Sequence, residues 1–185
     1  MSAQKPEILA IIGQGYVGLP LAMAAVDAGW SVIGVDNFEA KVAQINSGSS
    51  PVEDISDAQL QAAIAKGTYK ATTDYSVVSQ ASVITICVPT PLDEKREPDL
   101  ELLRSAATGI APFVSNETLV VSESTSYPGT LREIIVPIVN SLKPKACLTN
   151  KSTSSEATEI FLPSQTCLLI FVEVIKSADD RIAVG

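Results

Sequence analysis

The chain has 185 residues, 46% of them hydrophobic, which is enough for one domain with a full core and too few for two large ones. Lys and Arg total 13 against 21 Asp and Glu, a net charge of −8 that disfavours nucleic-acid and membrane-surface binding while leaving open a phosphate site made of backbone N–H groups. With no histidine and three scattered cysteines (Cys87, Cys147, Cys167), a His general base, a Ser-His-Asp triad, a metal centre and a disulfide framework are all unexpected, and a reducing, cytoplasmic setting is the expectation.

Residues 8–12 (ILAII) read as a short strand buried on both faces, ending at Gly13. Residues 18–28 read as a helix with Leu21, Ala25 and Ala28 at helical spacing and Gly29 as its stop. A strand over 31–35 follows, then a helix over 38–47 stopped by Gly48, and a third helix capped by Asp57 and closed by Gly67. Residues 68–71 read as a weak strand and 83–88 (VITICV) as a strong one. A helix over 99–109, a strand over 118–122 and a helix over 130–139 complete the series. The polar, Ser/Thr-rich stretch 143–159 reads as a loop, and 166–175 (TCLLIFVEVI) has the composition of one more buried strand. Nothing reads as a leader. Residues 1–7 are polar and short, and the apolar run 167–172 falls far below the ~20 residues that a membrane span requires.

Residues 13–18 are Gly-Gln-Gly-Tyr-Val-Gly, a G-x-G-x-x-G set between a hydrophobic strand and a helix, and Asp36 ends the next strand 18 positions past Gly18. Each glycine has a physical task. Gly13 permits the tight turn, Gly15 lets a pyrophosphate approach the backbone, and Gly18 lets the helix sit close to the strand. The helix N-terminus adds unpaired N–H groups and a partial positive charge. The Asp36 carboxylate can accept from ribose hydroxyls and would repel a 2′-phosphate, and Asn37 follows it rather than Arg. NAD is therefore predicted over NADP. The plain alternative is a glycine-rich turn with Asp36 as a solvated strand end. The expected fold is α/β, a Rossmann-type doubly wound parallel sheet over residues 1–142, followed by a divergent tail over 143–185 with one extra strand at 166–175. Thr90 and Thr125 stand just past the ends of two strands, placed to bond a nicotinamide ribose or amide, and read equally well as loop threonines bonding their own backbone.

The segments ILAIIGQGYVGLPLA, VDNFEAKVAQINSG, ATTDYSVVSQASVITICVPTPLDEKREPDL and LVVSESTSYPGT, in this order, resemble the UDP-glucose/GDP-mannose dehydrogenase family over about residues 7–142. The REPDL segment is most similar to the UDP-N-acetylhexosamine 6-dehydrogenase branch. The resemblance implies an NAD-dependent oxidation of a nucleotide-sugar C6 alcohol to a carboxylate, in the synthesis of surface polysaccharide precursors. It implies cofactor contacts from Gly13, Gly15, Tyr16, Val17, Gly18, Asp36, Lys41, Pro89, Thr90 and Thr125, with Thr125 also positioning water.

The sequence also departs from that family. Its members continue into an S-P-E-R motif, a helical dimerisation region and a second domain with a nucleophilic cysteine and the sugar site, none of which is recognisable here. Cys87 lies inside a strand and reads as a small core hydrophobe, whereas Cys147 and Cys167 fall in the tail. The chain alone is expected to bind NAD, to lack turnover, and to meet a nucleotide sugar only when the second domain is supplied. A non-catalytic NAD-binding or regulatory subunit, self-associating through the tail strand, is the alternative. A β-hydroxyacid-type dehydrogenase is a third reading, disfavoured by CVPTP and ESTSYPGT.

Overall fold

The computed structural model describes residues 7–94, 96–115, 118–124 and 129–142. Five strands, β1 (Ile8–Ile12), β2 (Ser31–Val35), β3 (Tyr69–Thr72), β4 (Val83–Ile86) and β5 (Leu119–Ser122), form one sheet in the order β3-β2-β1-β4-β5. Every pairing is parallel. The chain winds outward from β1 to β3, then returns to the other side of β1 to lay down β4 and β5. The direction thus reverses between β1 and β4, where such sheets open a ligand crevice at their carboxyl ends.

The inner strands β1 and β4 read as nearly continuous apolar runs because helices cover both faces. On one face Leu9, Ile11 and Val32 meet α1 (Gly18–Asp27), α2 (Glu39–Asn46) and α3 (Asp57–Ala65) through Leu21, Ile45 and Leu60. On the other, Ala10, Ile12, Ile84 and Ile86 meet α4 (Glu101–Ile110) and α5 (Val136–Leu142) through Leu103, Ala107, Ile110 and Val139. This is the doubly wound architecture expected of the sequence.

Several boundaries shift for local reasons. β4 ends at Ile86 because β1, its partner, turns away at Gly13, and the last rung is Cys87 N–H donating to the Ile12 carbonyl at 2.7 Å. Ser56, not Asp57, caps α3. Its hydroxyl accepts from the Gln59 N–H at 3.3 Å, while the Asp57 carboxylate accepts from the Ser50 N–H at 2.7 Å. α4 starts two residues late, since Asp99 is held outside it by its N–H on the Pro91 carbonyl. The expected last helix opens with a π turn over Leu131–Ile135, in which the Val136 N–H reaches back to the Leu131 carbonyl. Pro137 follows and has no N–H to continue an α pattern, which accounts for the widened turn. A 3₁₀ turn over Tyr75–Gln80, capped by Asp74, had no counterpart in the sequence reading. The expected tail at 143–185, its strand at 166–175, Cys147 and Cys167 lie outside the described residues.

Candidate dinucleotide-binding site

Two of the loop's glycines make contacts that leave no room for side chains. Gly13 adopts φ +93, and a Cβ there would stand 2.7 Å from the Cys87 carbonyl oxygen. A Cβ on Gly18 would stand 1.8 Å from the Gly13 carbonyl oxygen, so α1 begins directly against the loop. Gly15 is different. A Cβ there would meet nothing within 4 Å, so it borders open space, as a residue over which a diphosphate passes should. Val17 precedes α1 without a side-chain cap, and its first turn has no acidic residue. The first-turn N–H groups therefore face that space without a competing anion. Tyr16 and Val17 project outward, 74% and 53% exposed.

Asp36 stands beside this loop. It is only 5% exposed and accepts three hydrogen bonds: from the Gln14 N–H at 2.9 Å and Lys41 Nζ at 2.7 Å on Oδ2, and from the Phe38 N–H at 3.0 Å on Oδ1. A carboxylate offers about four acceptor positions, so Oδ1 keeps one for a hydroxyl donor, and a second opens on Oδ2 when Lys41 moves aside. The acid and the glycine bend are thus on the same side of the sheet and in direct contact, which excludes a solvated strand-end role for Asp36.

A cleft of about 210 Å³ runs from the loop along the carboxyl edge. It is bordered by Ile12, Gly13, Val35, Asp36, Asn37 and Lys41, by Tyr75, Leu102, Ser105 and Ala106, and by Val88 and Pro89. Tyr75, Leu102 and Ala106 were not foreseen. They give the cleft an apolar wall beyond Asp36, as a planar base needs. Burial, and secondarily the negative charge of Asp36, pushes the Tyr75 hydroxyl pKa upward, so it stays protonated. Pro89 is exposed on the same rim, and Thr90 beside it is half-buried. Thr125 lies outside the described residues. Just before it, Ser124 Oγ donates to the Val88 carbonyl at 2.7 Å and ties β5's end to β4's.

The G-x-G-x-x-G pattern assigns no role to the loop's second residue. Gln14 is completely buried, with Nε2 donating to the Ile11 carbonyl at 2.8 Å and the Gly13 carbonyl at 3.2 Å, and Oε1 accepting from Tyr69 Oη at 2.7 Å. The available signal was a polar residue between glycines that have no side chains of their own to bury. Cys87 is buried as expected. Burial, with the Glu123 charge second, drives its pKa far above the ordinary thiol range, so it carries no thiolate. Among the described residues no group of His, Cys, Asp and Glu could hold a metal ion.

Residues 7–158 match the UDP-glucose/GDP-mannose dehydrogenase family, NAD binding domain. The chain belongs to this family. It is 36% identical over 142 residues to the GDP-mannose 6-dehydrogenase of Pseudomonas putida, an alignment covering 74% of this chain and 32% of that protein. It is 33% identical over 133 residues to the UDP-N-acetyl-D-glucosamine 6-dehydrogenase of Pseudomonas aeruginosa, covering 71% and 30%. A crystallised ternary complex of GDP-mannose dehydrogenase from P. aeruginosa superposes with a TM-score of 0.69 at 33% identity, over 72% of this chain and 32% of that one. The chain therefore spans about a third of the length of the relatives it matches. The Rossmann-type fold and NAD as the cofactor are those of the family's first domain. Among the described residues, no helix is long and apolar enough to cross a membrane.

The residues present fit that cofactor. The space over Gly15, the uncapped first turn of α1, and the open acceptor position on Asp36 lie along one continuous edge.

Proposed function

We propose that the chain is the NAD-binding part of a nucleotide-sugar 6-dehydrogenase that oxidises the C6 alcohol of a UDP-sugar, of the UDP-N-acetylhexosamine type, to a carboxylate for polysaccharide precursors. The observation that carries the reading is the Asp36 carboxylate, buried against the glycine loop with an acceptor position still open. When bound, NAD supplies the hydride acceptor. The chain's own residues bind and orient. Gly13, Gly15, Gly18 and the backbone at Tyr16 and Val17 take the diphosphate. Asp36 accepts from the adenosine ribose, and Lys41 neutralises the acid until a hydroxyl displaces it from Oδ2. Tyr75, Leu102 and Ala106 flank the adenine. Pro89 and Thr90 border the nicotinamide half, and Thr125 holds a water for the hydrolytic step.

By sequence alone no sugar site or nucleophilic cysteine is recognisable, and our reading is that the chain holds cofactor without placing an alcohol against it. The proximity contribution to catalysis, about 7–11 kcal/mol of barrier, is then absent. Isothermal titration is expected to show NAD binding, and an NADH-formation assay with UDP-N-acetylglucosamine is expected to stay flat. No heat at millimolar NAD would overturn the first statement, and sustained NADH production by this chain alone the second.

A regulatory NAD-binding subunit is the second reading. It is favoured by β5, which among the described residues pairs on one side only, and by the hydrophobic composition of 166–175. An unpaired strand edge invites association. Light scattering that finds a monomer would count against it.

A further inference from the structure

The least expected feature near the cleft is a pair of polar side chains in the apolar layer on the opposite face of the sheet. Gln14 is fully buried and Tyr69 is 2% exposed. Gln14 belongs to the loop after β1, and Tyr69 opens β3, two strands away, with β2 between them. Their side chains meet over Gly34 of β2. A Cβ on Gly34 would stand 2.6 Å from Gln14 Cδ and Oε1 and 2.7 Å from Tyr69 Oη, so only glycine leaves space for the contact. The hydrogen bond between them is 2.7 Å long, with Oε1 accepting from Tyr69, and both Nε2 hydrogens are used on the Ile11 and Gly13 carbonyls.

Burying an amide and a phenol costs desolvation free energy that two apolar side chains of similar volume would not incur. The arrangement therefore yields little net stability over an apolar pair. What an apolar pair cannot do is restrain the carbonyls of Ile11 and Gly13 and hold the Gln14 backbone at a fixed tilt. That backbone matters, since the Gln14 N–H is one of the three donors orienting Asp36, and Gln14 lies between the two glycines that line the diphosphate path.

We propose that Tyr69 is a positioning residue for the dinucleotide. Acting through the Gln14 side chain across Gly34, it fixes both the glycine loop and the Asp36 carboxylate before the cofactor arrives. The inference rests on the NAD reading above and extends it to residues that do not touch the ligand. It predicts that affinity and fold stability separate on substitution, because the strut restrains geometry more than it contributes burial.

The test compares the wild-type chain with Tyr69→Phe and with the double variant Tyr69→Phe/Gln14→Met, which leaves no orphaned amide in the layer. Each protein is titrated with NAD by calorimetry, melted thermally, and followed by amide hydrogen exchange. Tyr69→Phe is expected to lower NAD affinity about 5- to 20-fold, in line with losing one buried hydrogen bond's orientation. The double variant is expected to regain the wild-type melting temperature without regaining affinity. Exchange at the Gln14 amide is expected to accelerate at least about tenfold in both variants relative to the β4 amides, which report the global fold. Affinity within twofold of wild type in Tyr69→Phe, or recovery of affinity together with stability in the double variant, would overturn the proposal. If the wild-type chain binds no NAD, the cofactor reading fails by itself, and the exchange rate at Gln14 then decides the positioning role: an unchanged rate ends it.

Discussion

The backbone N–H of Gln14 donates to Asp36 Oδ2 at 2.9 Å across 22 positions of sequence, joining the glycine loop to the acid at the end of β2 in one hydrogen bond. Lys41 Nζ bonds the same oxygen at 2.7 Å and is itself partly exposed. Replacing the acid should therefore change the choice of cofactor as well as its affinity. Asp36→Ala is expected to weaken NAD at least about tenfold, since hydrogen bonds to a charged group are worth roughly 1.5–3 kcal/mol. It also leaves the Lys41 ammonium facing the place where a 2′-phosphate would sit. The NAD-to-NADP affinity ratio is thus expected to fall by one to two orders of magnitude, roughly what removing one carboxylate and exposing one cation supplies. Parallel titrations with the two dinucleotides measure it, and an unchanged ratio would remove Asp36 as the selector.

The motif's glycines should separate by kind. Gly18→Ala drives a Cβ to 1.8 Å from a backbone oxygen that cannot swing away, so a loss of about 3 kcal/mol or more and poor soluble yield are expected. Gly15→Ala meets open space and adopts no positive φ, so stability should stay within about 0.5 kcal/mol while NAD affinity collapses. Thermal melts with NAD titration of both variants check this. A destabilised Gly15→Ala would mean that the space is needed by the fold rather than by the ligand.

Thr85 Oγ1 is buried in β4 with no hydrogen-bond partner among the described residues. Valine has nearly the same shape without the hydroxyl's desolvation cost. Thr85→Val is expected to raise stability by about 1 kcal/mol in a urea titration, with NAD affinity unchanged. A clear loss of stability would point to a partner for that hydroxyl.

Glu123, half-buried at the end of β5, has its pKa raised by desolvation. A raised carboxyl pKa means the folded state holds the proton more tightly than the unfolded chain. The associated stability is complete below the unfolded value, near pH 4.3, and is lost as pH rises through the folded value. Glu123→Gln is expected to stabilise the chain at pH 7 and to show no gain at pH 4, measured by melts at both. A gain that does not shrink with acidity would assign the effect to packing.

Cys87 should be silent to alkylation. With its pKa pushed far up by burial, iodoacetamide labelling of the Cys87 peptide should stay near background from pH 7 to 9 in the native protein and go to completion in denaturant. Mass spectrometry of that peptide reads the result, and native labelling that climbs with pH would contradict a core role.

The strands were legible because their requirement is simple: an apolar run between turn residues, as in Ile8–Ile12 before Gly13 and Ser31–Val35 before Asp36. The glycine spacing and the strand-end acid were legible for the same reason, each residue type answering a steric or electrostatic need at a fixed offset. What escaped depends on neighbours remote in sequence. Gln14 is distinctive only because Tyr69 and Gly34 arrive beside it, and Tyr75 enters the cleft from a 3₁₀ turn that has no helical periodicity to announce it. The end of β4 was misjudged because it is set by where β1 turns, not by VITICV itself.

All five strands run the same way, so the glycine loop, Asp36, Pro89 and Glu123 emerge at a single rim, and the starts of the strands share the opposite one. Lys66, exposed at the end of α3 just before β3 begins, lies on that second rim. A dye or surface tether coupled there would sit a full strand's length away from the glycine-loop edge, making this position a natural handle for immobilised binding measurements.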